Sequence, residues 1–258
     1  MRLLSYNIHK GIGGVDRRYY LDRIWRVLEE ENPDLICLQE VTSNAPRTNF
    51  HDQPDIFANR FQPRDTCFQM NVRYKKGGYG NLVLSRWAFQ QQRHVCLRMP
   101  KRKPRGAQVV VVETPKGPLQ LTNWHLGLAE RERHWQVNRL LDHTDFCTHA
   151  EMPRLIVGDF NDWRNTLAAG PFQQHGFQQL TSPPKQFRSF PAFMPTLALD
   201  KAFHRGGVAI QNVRLVRSRH TFWASDHLPL VIDFNLEPPK PASIITTAST
   251  AEPCRRES

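Results

Sequence analysis

Residues 155–161 read LIVGDFN, and residues 33–41 read PDLICLQEV. In each, a short unbroken apolar run bounded by turn-forming residues has the form of a strand buried on both faces, and a polar group interrupts its end. The same construction recurs along the chain: Asn7 in LLSYNI (3–8), Gln39 and Glu40 after LICL, His125 in LTNWHL (121–126), Asp159 and Asn161 in LIVGDFN, Asp200 in LALD (197–200), and Asp226 with His227 in SDHLPL (225–230). One such residue is ordinarily a turn former or helix cap. Six sites at the ends of apolar strands point instead to groups that converge on one cleft at a sheet rim.

Eight runs predict strands: Leu3 to Ile8, Leu35 to Leu38, Leu82 to Leu84, Val109 to Val112, Leu119 to Leu126, Leu155 to Val157, Leu197 to Phe203 and Leu228 to Phe234. Leu21, Ile24, Trp25 and Leu28 follow the i, i+3, i+4, i+7 spacing of a helix that Asn32-Pro33 ends. A second helix is predicted from about Glu130 to His149, with Val137, Leu140, Leu141, Thr144 and Thr148 as its less polar stripe. Strands outnumber helices without strict alternation, so the expected class is α+β, with two mixed sheets packed on each other and helices outside. Residues 41 to 80 have few long apolar runs and read as loops and short elements between strands.

With 258 residues, 40% of them hydrophobic, the chain can bury one large core. Residues 1–236 are expected to form one catalytic domain. Residues 237–258, rich in Pro, Ser, Thr and Ala, are expected to be a disordered tail. Lys and Arg number 35 against 24 Asp and Glu, and the tail carries three charges of each sign, so the net +11 belongs to the folded part. That surplus draws in polyanions: nucleic acid, anionic lipid head groups or phosphorylated small molecules. The five cysteines form no CxxC pair and no His-Cys array, so they indicate neither a zinc site nor a disulfide framework and fit reduced thiols. Polar Asn7 and His9 interrupt the N-terminal apolar stretch, and no run approaches the roughly 20 apolar residues of a spanning helix. The expectation is a cytoplasmic protein without a transmembrane segment.

The inventory suits water attack on a phosphate ester. A hard cation such as magnesium takes one or two carboxylates, which Glu40 and Asp226 can supply. Asp159 can orient the water and take its proton, and Asn161, two residues on in an extended segment, would point to the same side. His227 can donate to developing negative charge if a buried Asp200 keeps it protonated. A cysteine-nucleophile phosphatase would need an Arg-bearing anion loop after its cysteine, and none of the five has one.

Taken in order, SYNI, PDLICLQEV, GYGNLVLSR, PRGA, NWHL, GDFND, LALDKAF and SDHLPL resemble the endonuclease/exonuclease/phosphatase superfamily over nearly the whole chain. The resemblance implies a four-layer α/β/β/α sandwich and a metal-dependent phosphodiesterase, endonuclease-like, acting on nucleic acid or a lipid head group. It implies Glu40 as the principal metal ligand with Asn7 and Asp226 completing the shell, for Mg2+ or for Mn2+, which suits the same oxygen ligands. Asp159 would activate water, Asn161 bind a phosphate oxygen, Asp200 orient His227 onto the scissile phosphate, and His125 bind phosphate or assist the leaving group. Arg105 would order the cleft; the charge of the basic cluster beside it, Lys101, Arg102 and Lys103, separately leads to the expectation that these side chains grip a polyanionic substrate. The chain departs from the family's repair endonucleases at His9, where those tend to be acidic. It also offers no carboxylate in GYGNLVLSR to pair with His125, which leaves Tyr79 or a metal-bound water to protonate the leaving group in its place. The alternative reading is a basic nucleic-acid or membrane-surface binding module with weak or no catalysis. Loss of Glu40, Asp159 or His227 would favour it, and all three are present.

Overall fold

Leu3 and Leu4 are neighbours in the chain but lie in different cores: Leu3 packs between the two sheets with Leu35, Val83, Val157 and Ile232, while Leu4 packs with Ile24, Val27 and Phe57 beneath the helices. Alternate side chains of a strand point to opposite faces, so a strand covered on both sides must be apolar at every position. The computed structural model describes residues 1–148 and 151–237, so the predicted tail, apart from Glu237, lies outside the described residues. Its elements are β1 (Arg2–Asn7), α1 (Leu21–Glu31), β2 (Leu35–Ser43), α2 (Gln53–Phe61), β3 (Asp65–Arg73), β4 (Gly78–Ser85), β5 (Phe89–Cys96), β6 (Gly106–Thr114), β7 (Gly117–His125), α3 (Glu130–Leu141), α4 (Thr144–Cys147), β8 (Arg154–Asp159), β9 (Gln178–Gln179), β10 (Asp200–Arg205), β11 (Val208–Leu215), α5 (Arg219–Ala224) and β12 (Leu230–Leu236).

The strands form two six-stranded sheets, ordered β11-β12-β1-β2-β4-β3 and β5-β6-β7-β8-β10-β9. β1 with β2 and β7 with β8 run parallel, and the other pairs are antiparallel. Both sheets are therefore mixed. Leu3, Cys37, Val110, Leu121 and Leu230 belong to the core between them, α1 and α2 cover one outer face, and α3 with Trp124, Phe160 and Phe172 covers the other. The α/β/β/α layering is as expected. Each leucine at the centre of these layers is fully buried, and truncation to alanine there costs about 3 kcal/mol.

All eight predicted strands are present. The segment 41–80, expected to hold loops and short elements, holds the end of β2, α2 with its Phe57 buried, and β3, a full nine-residue strand that the expectation did not include. β3 reads DTCFQMNVR, half of it polar because it lies at a sheet edge, which hid it from an apolar-run criterion. The predicted helix 130–149 is also corrected. α3 stops at Leu141, and α4 begins after His143, whose imidazole accepts from the Asp145 amide as the new cap. Position 149 lies outside the described residues. α1 ends as expected, at Asn32 in the left-handed region with its amide donating to the Leu28 carbonyl.

Strand direction sets the position of the site. β1, β2, β7 and β8 bring their C-terminal ends, and β4, β6, β10 and β12 their N-terminal ends, to the same rim. A buried polar network ties the sheets together below that rim: Gln39 donates to Asn123 Oδ1 at 2.8 Å, and Asn123 donates to the Leu38 and Leu82 carbonyls and to Gln108 Oε1. Buried amides with their donors satisfied resist rearrangement, so the network fixes one sheet against the other where the functional groups emerge.

Candidate active site

β8 ends at Asp159 because Gly158 permits it. Gly158 has φ +140° and lies so near β7 that a Cβ would come 2.1 Å from the Trp124 carbonyl oxygen. Asp159 is then buried with three groups around its Oδ2: Asn7 Nδ2 at 3.0 Å, His125 Nε2 at 3.3 Å and His227 Nε2 at 3.8 Å. Its other oxygen accepts from the Asn161 amide at 2.9 Å. Burial raises its pKa to about 6, against the pull of His227 and the hydrogen bonds from Asn7 and Asn161.

His227 lies against Asp200, with Nδ1 2.7 Å from Oδ2, and Ser189 Oγ donates to the same oxygen at 2.5 Å. Phe190 packs on the imidazole at 5.0 Å between centroids. Burial alone would deprotonate the ring, but Asp200 and Asp159 outweigh it and raise its pKa to about 10, so His227 is an imidazolium at neutral pH. The expected Asp200–His227 pairing is therefore present. His125 behaves in the opposite way. Burial, then Arg105 and His227, push its pKa far down, and it stays neutral between Asp159 and Glu40, whose Oε1 is 3.9 Å from Nδ1. The carboxylates facing His125 thus come from β2 and β8, not from the neighbouring β4.

Asn161 departs from the extended geometry expected of it. β8 has ended and Asn161 sits at φ +51°, so it is not the second residue of an extended pair. Asparagine tolerates this left-handed turn, and its side chain donates to the Leu126 carbonyl at 3.0 Å. One amide hydrogen and the oxygen remain for a ligand. Next to it, Asp162 accepts from the Thr166 and Leu167 amides and lies near buried Arg133 and Lys201, which fixes the loop bearing Asn161.

The facing wall comes from the other sheet. Glu40 stands in an irregularity of the β2–β4 pairing between Leu38 and Val41, at φ +58°, a conformation that costs a glutamate about 1 kcal/mol. The bulge sends Gln39 into the inter-sheet network and Glu40 to the rim, where its carboxylate pairs with the Lys10 ammonium. Burial works to raise the Glu40 pKa, but Lys10, His9 and Arg105 outweigh it and hold the group ionised. Asp226 receives Ser225 Oγ at 3.4 Å and stands 3.6 Å from His9 Nδ1. The 8–20 segment presses so closely there that a Cβ on Gly14 would meet Asp226 Cα at 2.7 Å. Asn7 bridges the two walls, because its oxygen accepts from the His9 amide at 3.0 Å while its nitrogen holds Asp159.

Tyr79 is buried with no partner for its hydroxyl, its pKa is pushed up to about 12 by burial, and its ring lies between the Lys10 and Lys103 ammonium groups, 4.8 and 5.2 Å from the centroid. Arg105 is buried with its Nε unpartnered, whereas Lys101 and Arg102 are exposed on the rim. Lys10, Ser189 and Ser225 were not among the residues expected in the site. Lys10 had a visible signal, a cation three residues beyond Asn7 in NIHKG. The serines had none, since they act through hydrogen bonds between distant segments. Cys37, Cys67, Cys96 and Cys147 are free, Cys254 lies outside the described residues, and among the described residues no helix is long and apolar enough to cross a membrane.

The model of the Endonuclease/Exonuclease/phosphatase family matches residues 4–227, which spans every site group from Asn7 to His227. The uncharacterized protein YbhP of Escherichia coli (strain K12) is 29% identical over 248 residues, covering 91% of this chain and 96% of that one. An endonuclease/exonuclease/phosphatase from Beutenbergia cavernae DSM 12333 superposes with a TM-score of 0.74 at 22% identity, over 93% of this chain and 72% of that one. TDP2 from D. rerio, complexed with single strand DNA product, superposes with a TM-score of 0.66 at 18% identity, over 91% and 98% of the two chains. The chain belongs to the Endonuclease/Exonuclease/phosphatase family of hydrolases that act on phosphate ester bonds.

Proposed function

We propose that this chain is a magnesium-dependent phosphodiesterase that cleaves its substrate by attack of a water activated at Asp159. The supporting observation is the convergence of Asn7, His125 and His227 on one oxygen of a buried carboxylate whose pKa lies close to neutral. A general base is most effective when its pKa lies near the working pH. Asp159 would orient the water and take its proton. His227, kept cationic by Asp200, would donate from Nε2 to a phosphate oxygen as negative charge develops there. Asn161 would bind a second phosphate oxygen through its remaining amide hydrogen. His125, being neutral, would hydrogen bond phosphate or the departing oxygen without holding a charge, and the Tyr79 hydroxyl, still protonated near neutrality, is a second donor on that side.

Enzymes of the family generally use divalent metal ions. The residues fit one: Glu40, Asp226 and the Asn7 oxygen are hard oxygen donors, and Glu40 is held ionised with a cationic group already paired to it. Glu40 would be the principal ligand, with Asp226 and Asn7 completing the shell, and manganese suits the same set. Bound there, the ion would stabilise charge on the phosphate.

The test is hydrolysis of bis-p-nitrophenyl phosphate, plasmid DNA, RNA and phospholipid vesicles, each with magnesium and with chelator. Magnesium-dependent cleavage that Asp159→Asn abolishes is the expected result. If wild type cleaves none of them, or if Asp159→Asn cleaves as fast as wild type, the reading fails. Binding of a polyanion without cleavage would favour a module that keeps the fold alone.

A further inference from the structure

The two ends of the strands differ in character. Among the described residues eleven large hydrophobic side chains are exposed, and every one lies in a segment joined to the rim that carries the site: 8–20, 44–52, 74–77, 126–129, 160–167, 180–199 and 216–229. Connections at the opposite end, 32–34, 62–64, 86–88, 115–116, 142–153 and 206–207, carry none among the described residues. The charge follows the same division. With the 97–105 segment, also at the rim, these site-end segments hold sixteen Lys and Arg against four Asp and Glu, leaving nineteen against twenty in the rest of the chain. The whole positive surplus surrounds the cleft.

Such a mixture identifies what covers it. Leu128 at 66% and Met194 at 61% are the most exposed of the set, beside Phe193, Trp163, Phe222 and Tyr74. Nucleic-acid grooves combine cations with aromatic rings that stack on bases, a role that leucine and methionine do not serve. Protein interfaces exclude charge from their centre, whereas here cations alternate with apolar tips around the rim. Trp, Tyr and Phe beside leucine on a lysine- and arginine-rich face suit the boundary between lipid head groups and acyl chains, and anionic lipid supplies the complementary charge. Scattered exposed apolar residues need no explanation, but eleven at one end and none at the other do.

We propose that the active-site face seats on an anionic phospholipid bilayer, so that the cleft takes its phosphodiester from a lipid head group within the surface. The choice of substrate rests on the phosphodiesterase reading; the seating does not. The full chain is sedimented, in chelator and at about 0.1 M salt, with vesicles of phosphatidylcholine alone or carrying a quarter phosphatidylglycerol, and a DNA duplex is assayed in parallel. The expected result is retention on the anionic vesicles, and a loss of about tenfold in partitioning for Leu128→Ser with Met194→Ser, both exposed sites where the melting temperature should not change. Absence of retention overturns the proposal, as does retention that the double variant leaves unchanged, or equal retention on the neutral vesicles. Duplex binding without vesicle binding also overturns it, in favour of nucleic acid. Because chelator suspends any metal-dependent cleavage, failure of the phosphodiesterase reading, measured separately on soluble bis-p-nitrophenyl phosphate, leaves this outcome unaffected.

Discussion

The two walls of the cleft are held by different means. On one, Asp159, Asp200 and His227 are buried: His227 and Ser189 hydrogen bond Asp200, Asn7 donates to Asp159, and His227 stands 3.8 Å from the same Asp159 oxygen. On the other, Glu40 stands on a bulge, Lys10 reaches it from a short turn at φ +64°, and Tyr79 lies between two ammonium groups. The first wall fixes where protons are; the second balances charge among side chains that can exchange one cation for another. On the proposed reading, chemistry that needs a base and an acid in defined states would use the first, and reversible binding of an ion or a charged substrate the second.

Removing a group from the buried wall should have the largest effect. Asp159→Asn keeps the shape and removes the base, and kcat/KM on a soluble phosphodiester is expected to fall about 1,000-fold, with no recovery at high magnesium. Glu40→Ala should fall about 100-fold and regain part of its rate as magnesium rises, because the loss is in holding the ion. Rate against magnesium concentration for both variants decides the matter, and equal rescue would erase the distinction between the walls.

The extent to which this arrangement was legible in the sequence follows from burial. The eight strands readable as apolar runs are the eight interior strands, each flanked by a partner on both sides and covered on both faces. The four that were not readable, β3, β5, β9 and β11, are the four sheet edges, where sequences such as FQQQRHVC meet solvent and lose the apolar run. The site divides the same way. Asp159, Asp200, His227 and His125 interrupt interior strand ends and so were visible as polar intrusions. Lys10 lies on a turn, where NIHKG shows a cation close to Asn7 but not the pairing with the distant Glu40 that places it in the site. Asn161 does not lie on an extended segment as its spacing implied, since β8 ends at Asp159 and Asn161 follows in the left-handed region.

A smaller effect separates the roles within the buried wall. Asp200 raises His227 to a pKa of about 10 by stabilising the imidazolium, so wild-type activity should hold from neutral pH until the ring deprotonates well above pH 8. Asp200→Asn removes the largest opposing charge, and the basic limb of the kcat/KM profile should move down toward the ordinary histidine value of about 6.5. At pH 6, where the ring is still largely protonated, the loss should be less than about twofold, and above pH 6.5 it should grow about tenfold per pH unit. A variant profile parallel to wild type would show that Asp200 only braces the loop at Ser189.

The smallest effect tests the cations that reach toward the second wall from the segment between β5 and β6. Lys101, Arg102 and Lys103 stand on the 97–105 segment, and only Lys103 touches a site group, the Tyr79 ring. If they attract a polyanionic surface, they act before the chemistry and hold the bound substrate and the transition state equally. Neutralising all three to glutamine should then raise KM several-fold with kcat nearly unchanged. It should also flatten the dependence of apparent affinity on salt, since each lost phosphate contact removes close to one unit from the slope of log affinity against log salt. On bis-p-nitrophenyl phosphate, which reaches none of the three, the triple variant should match wild type at every salt concentration. The contrast between the soluble and the surface-bound substrate is what distinguishes attraction from structure: a defect shared by both would place these residues in the folding of the rim, and an absence of defect in either would make them a solvated face.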